Sequence, residues 1–192
     1  MRINFRGSRT EQLLINAFAG EAQAYIRYKF FASTAKKENL CTIADVFTQT
    51  AENEYEHAKL FYKLIGYNKN AHVDSFYPFE FGSTSENLLC AIDSENEEAS
   101  VIYLNACKIA KEEGFDTAAS VFKNVINVEI HHRDRFQQIY TALKGNSLFK
   151  KDSAQLWICT ECGYIHNGTE APEYCPNCYH KRGYFKLLCE KY

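Results

Sequence analysis

Glu54-Tyr55-Glu56-His57 and, 75 residues further on, Glu129-Ile130-His131-His132 carry one pattern twice: a glutamate with a histidine three residues later. On a helix, i and i+3 share a face, one turn apart. Outward from the first pair, Ile43, Phe47, Thr50, Glu54, His57, Phe61 and Leu64 recur at 3–4 spacing. Around the second, Ala118, Phe122, Val125, Glu129, His132, Phe136, Ile139 and Leu143 do the same. These are the apolar stripes of helices facing a common core, each interrupted by a carboxylate and an imidazole.

Two further stripes complete the set. Leu14, Ala17, Glu21, Ala24 and Tyr28 form one, and Leu88, Ala91, Glu95, Glu98, Ile102 and Ile109 the other. Glu21 precedes Glu54 by 33 residues and Glu95 precedes Glu129 by 34, so the two halves read as copies of one helical hairpin. Residues 8–66 and 85–145 contain no proline, which permits long helices. Ser8 with Glu11, and Ser83 with Glu86, have the spacing of capping boxes. Gly66, Gly114 and Gly145 stand where helices should stop. The expected helices are about 9–36, 40–65, 85–113 and 116–144.

A carboxylate on an apolar stripe costs several kcal/mol, roughly the penalty for burying an unpaired ion, unless something compensates. A bound cation does so. Two Glu-x-x-His pairs and single glutamates from two other helices can enclose two metal ions. Carboxylate oxygens with one imidazole per metal suit iron or manganese better than copper. Glu52, Glu56, Glu97 and His131 lie off the stripes and are expected near the surface or behind the ligands.

After Gly145 the pattern changes. Residues 1–145 are expected to form the bundle, 146–155 a polar linker and 156–192 a small second domain. In the latter, Cys159-Thr-Glu-Cys162 and Cys175-Pro-Asn-Cys178 make a four-thiolate site that holds zinc or iron. Cys41, Cys90, Cys107 and Cys189 belong to no motif and read as small apolar residues.

Composition excludes several classes. Of 192 residues 46% are hydrophobic, so the chain can bury a real core, and a net charge of −2 offers nucleic acid no basic field. No segment is apolar enough to span a bilayer or serve as a secretory signal. Clustered cysteines in a reducing compartment bind metal, and the expected location is cytoplasmic.

Ala17–Gly20–Glu21, Glu54-Tyr-Glu-His57, Glu95-Asn-Glu-Glu98 and Glu129-Ile-His-His132 resemble, in their order, the ligand motifs of the rubrerythrin family. Cys162-Gly163-Tyr164 resembles a rubredoxin knuckle, although rubredoxins usually have glycine after the fourth cysteine, where this chain has Tyr179. The resemblance covers essentially the whole chain. It implies a mainly α fold: a ferritin-like four-helix bundle followed by a small rubredoxin-like iron–tetrathiolate domain. It implies a di-iron centre with Glu21 and Glu95 as terminal ligands, Glu54 and Glu129 as bridges, and His132 on the second iron. The first iron would take Glu98 when oxidised and His57 when reduced. Tyr28 and Tyr103 would hydrogen-bond ligand carboxylates. One further iron would sit among Cys159, Cys162, Cys175 and Cys178.

The implied activity is reduction of hydrogen peroxide to water in oxidative-stress defence. Electrons would pass through the tetrathiolate from an external redox protein or an NAD(P)H-dependent reductase. Alternatives are a ferroxidase or oxidase, or an iron-storage protein with a structural zinc ribbon. Residues 146–154 reach about 15–18 Å as a flexible chain, against helices of about 40 Å. Transfer within one chain would then be slow, and the resemblance implies a homodimer or higher homo-oligomer that brings one subunit's tetrathiolate to another's di-iron site.

Overall fold

The computed structural model describes residues 4–66 and 70–189. Five helices and a short π segment build the bundle: α1 (Arg9–Lys37), α2 (Cys41–Ile65), α3 (Thr84–Glu97), the π segment (Glu98–Ile102), α4 (Tyr103–Glu112) and α5 (Asp116–Lys144). α1 lies along α2, and α3 with α4 lies along α5, giving the two hairpins that the repeat requires.

Local chemistry sets the helix ends. The Ser8 hydroxyl accepts from the Glu11 amide, while the Glu11 carboxylate takes the N–H of Gly7 rather than that of Ser8. Ser83 and Glu86 make the full reciprocal box. Gly66 closes α2 in the left-handed region, at φ 57°. Gly145 does not play that part: its φ is −84°, and Asn146 takes the left-handed turn at φ 53°. Asn tolerates that conformation because its side chain is short and polar.

Two apolar clusters fill the ends of the bundle. One gathers Tyr28, Phe31, Phe47, Leu88 and Phe136; the other gathers Leu14, Phe61, Tyr103, Phe122 and Val125. Each fully buried phenylalanine contributes roughly 2–3 kcal/mol of transfer free energy. The stripe glutamates and histidines form a polar layer between these clusters.

The fourth stripe departs from expectation. Ile102 was expected inside but is 39% exposed, while its neighbour Tyr103 is 1% exposed. The π segment explains this. The Tyr103 N–H donates to the Glu98 carbonyl, five residues back. In a regular helix, at about 100° per residue, Tyr103 would stand about 80° from Glu95. The wide turn absorbs one residue and returns Tyr103 to the Glu95 face.

The second domain is a three-stranded antiparallel sheet in the order β2-β1-β3: β1 (Lys150–Cys159), β2 (Ile165–Glu170) and β3 (Phe185–Leu187). Residues 150–155, expected within the linker, are strand. Lys150 pairs with Glu170 across the ladder, and an irregularity precedes Gln155. The outer half of β1 is polar and largely solvated, so it offers no alternation to read. Trp157, Ala171 and Phe185 form the small core together with Cys159 and Cys175. Gly183 presses this domain onto the α1–α2 turn, where a Cβ would collide with the Asn39 carbonyl.

Candidate metal centres

Glu21, Glu54, His57, Glu95, Glu98, Glu129 and His132 are all buried at mid-bundle. Their atoms converge with a twofold pattern. His57 Nδ1 is 2.9 Å from Glu54, 3.0 Å from Glu129 and 3.7 Å from Glu21. His132 Nδ1 is 2.9 Å from Glu129, 3.1 Å from Glu54 and 3.5 Å from Glu95. Glu54 and Glu129 are thus common to two four-residue clusters, each with ligand atoms within 4.8 Å of one another. Glu98 is in neither; it lines a cavity on the outer side of the layer.

The donors fit metal better than they fit one another. Glu21 Oε2, Glu54 Oε1, Glu95 Oε2, both Glu129 oxygens and His132 Nδ1 are buried without a properly directed hydrogen bond. Close approach without hydrogen-bond alignment is what lone pairs aimed at a shared cation produce. Leaving such groups unsatisfied costs about 1–3 kcal/mol each, and more when charged.

Electrostatics agree. Burial, reinforced by Glu129 and Glu54, pushes the Glu21 carboxyl well up. Burial and Glu54 push Glu95 to about 8, and burial with Glu95 raises Glu98. Burial works against charge on His57, but the Glu129 and Glu54 carboxylates close against it lift it to about 10. Burial would likewise raise Glu129, yet His132 and His57 outweigh it and hold the carboxyl at about 2. Five carboxylates share this dry space with two imidazoles. They cannot all be ionised unless cations join them.

The supporting groups also cross between hairpins. The Tyr28 hydroxyl donates to Glu95 over 2.5 Å, and the Tyr103 hydroxyl donates to Glu21 over 2.6 Å. His132 Nε2 lies 3.3 Å from Asn53 Oδ1, which leaves Nδ1 free to face the cluster. Arg135 donates to Thr50 beside the layer. Asn53, Arg135 and Arg27 were not anticipated: a polar residue beside a stripe gives no periodic signal. Glu52, Glu56, Glu97 and His131 are exposed.

The four sulfurs also converge. Cys159 and Cys178 Sγ are 3.7 Å apart, and Cys162 and Cys175 Sγ 3.6 Å. Metal–sulfur bonds of about 2.3 Å at tetrahedral angles require about 3.75 Å. Gly163 N–H donates to the Cys159 carbonyl and Tyr179 N–H to the Cys175 carbonyl, so the two knuckles match. Asn177 and the Tyr164 amide draw the Cys162 thiol down to about 6, toward the thiolate a metal needs.

The family model described as Rubrerythrin matches residues 12–140, and the one described as Rubrerythrin, rubredoxin-like domain matches residues 157–186. The chain belongs to the rubrerythrin family. The rubrerythrin of Porphyromonas gingivalis is 41% identical over all of this chain and 96% of its own length. Rubrerythrin-1 of Clostridium acetobutylicum is 39% identical over 98% of this chain and 99% of its own. The structure of fully reduced, all-ferrous nigerythrin is 32% identical, with a TM-score of 0.61 over 95% of this chain and 87% of that one.

As a rubrerythrin-family chain, it is an oxidoreductase of the di-iron, oxidative-stress type, with a ferritin-like bundle and a rubredoxin-like four-cysteine site. Among the described residues, no helix is long and apolar enough to cross a membrane.

Proposed function

We propose that this chain is a peroxidase that reduces hydrogen peroxide to water, with electrons arriving through the tetrathiolate iron. The observation that carries this reading is the pair of clusters sharing Glu54 and Glu129, with a further buried carboxylate, Glu98, outside both. Paired ferrous ions, when bound, supply the two electrons that cleavage of an O–O bond consumes. Glu54 and Glu129, common to both clusters, would serve both metals. Glu21 would hold one, and Glu95 with His132 the other. His57 and Glu98 would be alternative ligands beside Glu21. A neutral imidazole suits the ferrous ion, and an anionic oxygen suits the more highly charged ferric one. Tyr103 and Tyr28 hold Glu21 and Glu95 in place, and the apolar clusters above and below exclude bulk water.

Cys159, Cys162, Cys175 and Cys178 would hold the iron, which would supply one-electron chemistry there, with all four thiolates available in both oxidation states. A small redox protein or an NAD(P)H-dependent reductase would be the electron donor. Contact of Gly183 with Asn39 supports delivery between subunits. Glu54 lies thirteen residues beyond Cys41 on α2, about 20 Å at 1.5 Å per residue. That is long for a single hop within one chain, and a head-to-tail homodimer shortens it.

Anaerobic reduction followed by peroxide addition tests the reading. The visible band of the tetrathiolate should bleach on reduction and return with peroxide. A band that stays bleached, or zinc found in the sulfur site, overturns it.

A further inference from the structure

On the outer side of Glu98 lies a cavity of about 130 Å³. Glu98 and Arg27 line it, and Tyr77 and Pro78 belong to the segment that roofs it. That segment is stitched across α1. Tyr77 OH donates to the Asn16 carbonyl, the Asp74 N–H donates to Asn16 Oδ1, and Asn16 Nδ2 donates to the Asp74 carbonyl. The Tyr77 ring closes over α1 at Gly20, where a Cβ would stand 3.6 Å from it, in ordinary van der Waals contact.

Arg27 is the unexplained group. It is 6% exposed. Its Nη1 donates to Gln23 over 2.7 Å and its guanidinium lies over the Tyr28 ring, 5.4 Å from the centroid, but Nε and Nη2 meet no hydrogen-bond acceptor. Both Arg27 and Glu98 line this cavity, and each feels the other's charge. A buried cation with two idle N–H groups is costly unless a ligand takes them.

The cavity therefore offers a two-pronged donor edge and a carboxylate acceptor in one small space. A simple anion satisfies the donors but offers no O–H to the Glu98 oxygens. An alkyl chain satisfies neither. Hydrogen peroxide does both, because each oxygen carries lone pairs and an O–H; it would displace water that does the same, and it spans two oxygens where one water offers a single one. We propose that Arg27 anchors hydrogen peroxide in this cavity, with Glu98 accepting from its other end, and so selects the substrate before it meets the metals. This rests on the peroxidase reading and adds to it the residue that recognises the oxidant.

Two measurements test it. In zinc-loaded protein, which cannot transfer electrons, the Arg27 Nε–H resonance should shift saturably as hydrogen peroxide is added; a linear drift without saturation overturns the proposal. In iron-loaded protein, Arg27→Gln should raise the peroxide concentration that half-saturates recovery of the tetrathiolate band, by roughly tenfold, the worth of one charged hydrogen bond. The effect should fall on half-saturation more than on the plateau, Arg27→Lys should restore part of it, and tert-butyl hydroperoxide should be less affected. An unchanged half-saturation in Arg27→Gln overturns the proposal while leaving the peroxidase intact. If wild-type iron protein ignores peroxide, the peroxidase reading falls, and a saturable shift in the zinc form still upholds the binding site.

Discussion

Tyr179 is the residue whose cost is plainest. Its φ of 61° is left-handed, and its side chain is 79% exposed. An L residue pays about 1 kcal/mol for that conformation and glycine does not. Tyr179→Gly should therefore stabilise the small domain by about 1 kcal/mol in chemical denaturation while keeping the tetrathiolate spectrum; a loss of stability would show that the ring makes contacts worth more than the strain. Glu113 makes the opposite case. It accepts from the Thr10 hydroxyl at 2.6 Å and from the amides of Thr10 and Arg9 at the start of α1. Slight burial would raise its carboxyl, but those donors outweigh it and hold the group below its usual value. A depressed folded value means stability that is present above the unfolded pKa of about 4.3 and lost as pH falls through the folded one. Glu113→Gln should cost about 1 kcal/mol at neutral pH, a gap that closes in acid; a gap independent of pH would contradict the assignment. At this scale the sequence was most legible for the glutamates and histidines, because each interrupts an apolar stripe. Arg27 was not, because α1 already shows Arg and Lys around it and only the fold reveals which one is buried.

Among the elements, the π segment is what the 3–4 spacing failed to anticipate. A stripe written through Ile102 assumes an unbroken helix, whereas the extra residue is absorbed between Glu98 and Tyr103. Single-sequence periodicity carries no mark of such an insertion, since Val101 and Ile102 read as ordinary helix. Removing one residue there should leave both flanks on their present faces. Deleting Val101, which is 59% exposed, should keep the Tyr103–Glu21 hydrogen bond, the helicity and the iron content. It should slow oxidation by peroxide about tenfold or more by resetting Glu98. Loss of iron on deletion would mean that the wide turn is needed for binding rather than for reactivity. The polar outer half of β1 was missed for a simpler reason: a strand wetted on both sides has no pattern.

In the whole molecule, the two domains were legible separately, but their contact was not. Nothing in the Gly183 neighbourhood announces that it meets Asn39, because the approach involves backbone and no side-chain motif. Delivery between subunits predicts complementation. A chain with Cys159→Ser and Cys162→Ser, mixed with one carrying Glu54→Ala and His132→Ala, should regain peroxidase activity that neither shows alone; activity that stays absent after verified subunit exchange would place electron transfer within one chain. The π segment has its own consequence here. The hairpins are near-copies, and a perfect copy would give two interchangeable ions. Two differences end that equivalence: one half carries a surplus residue after Glu98, and Glu98 itself has its counterpart in Ala24, three residues after Glu21, which cannot ligate. The repeat thus acquires a front and a back, and on the function proposed above a metal on the Glu98 side would be the one with a spare carboxylate within its half of the layer.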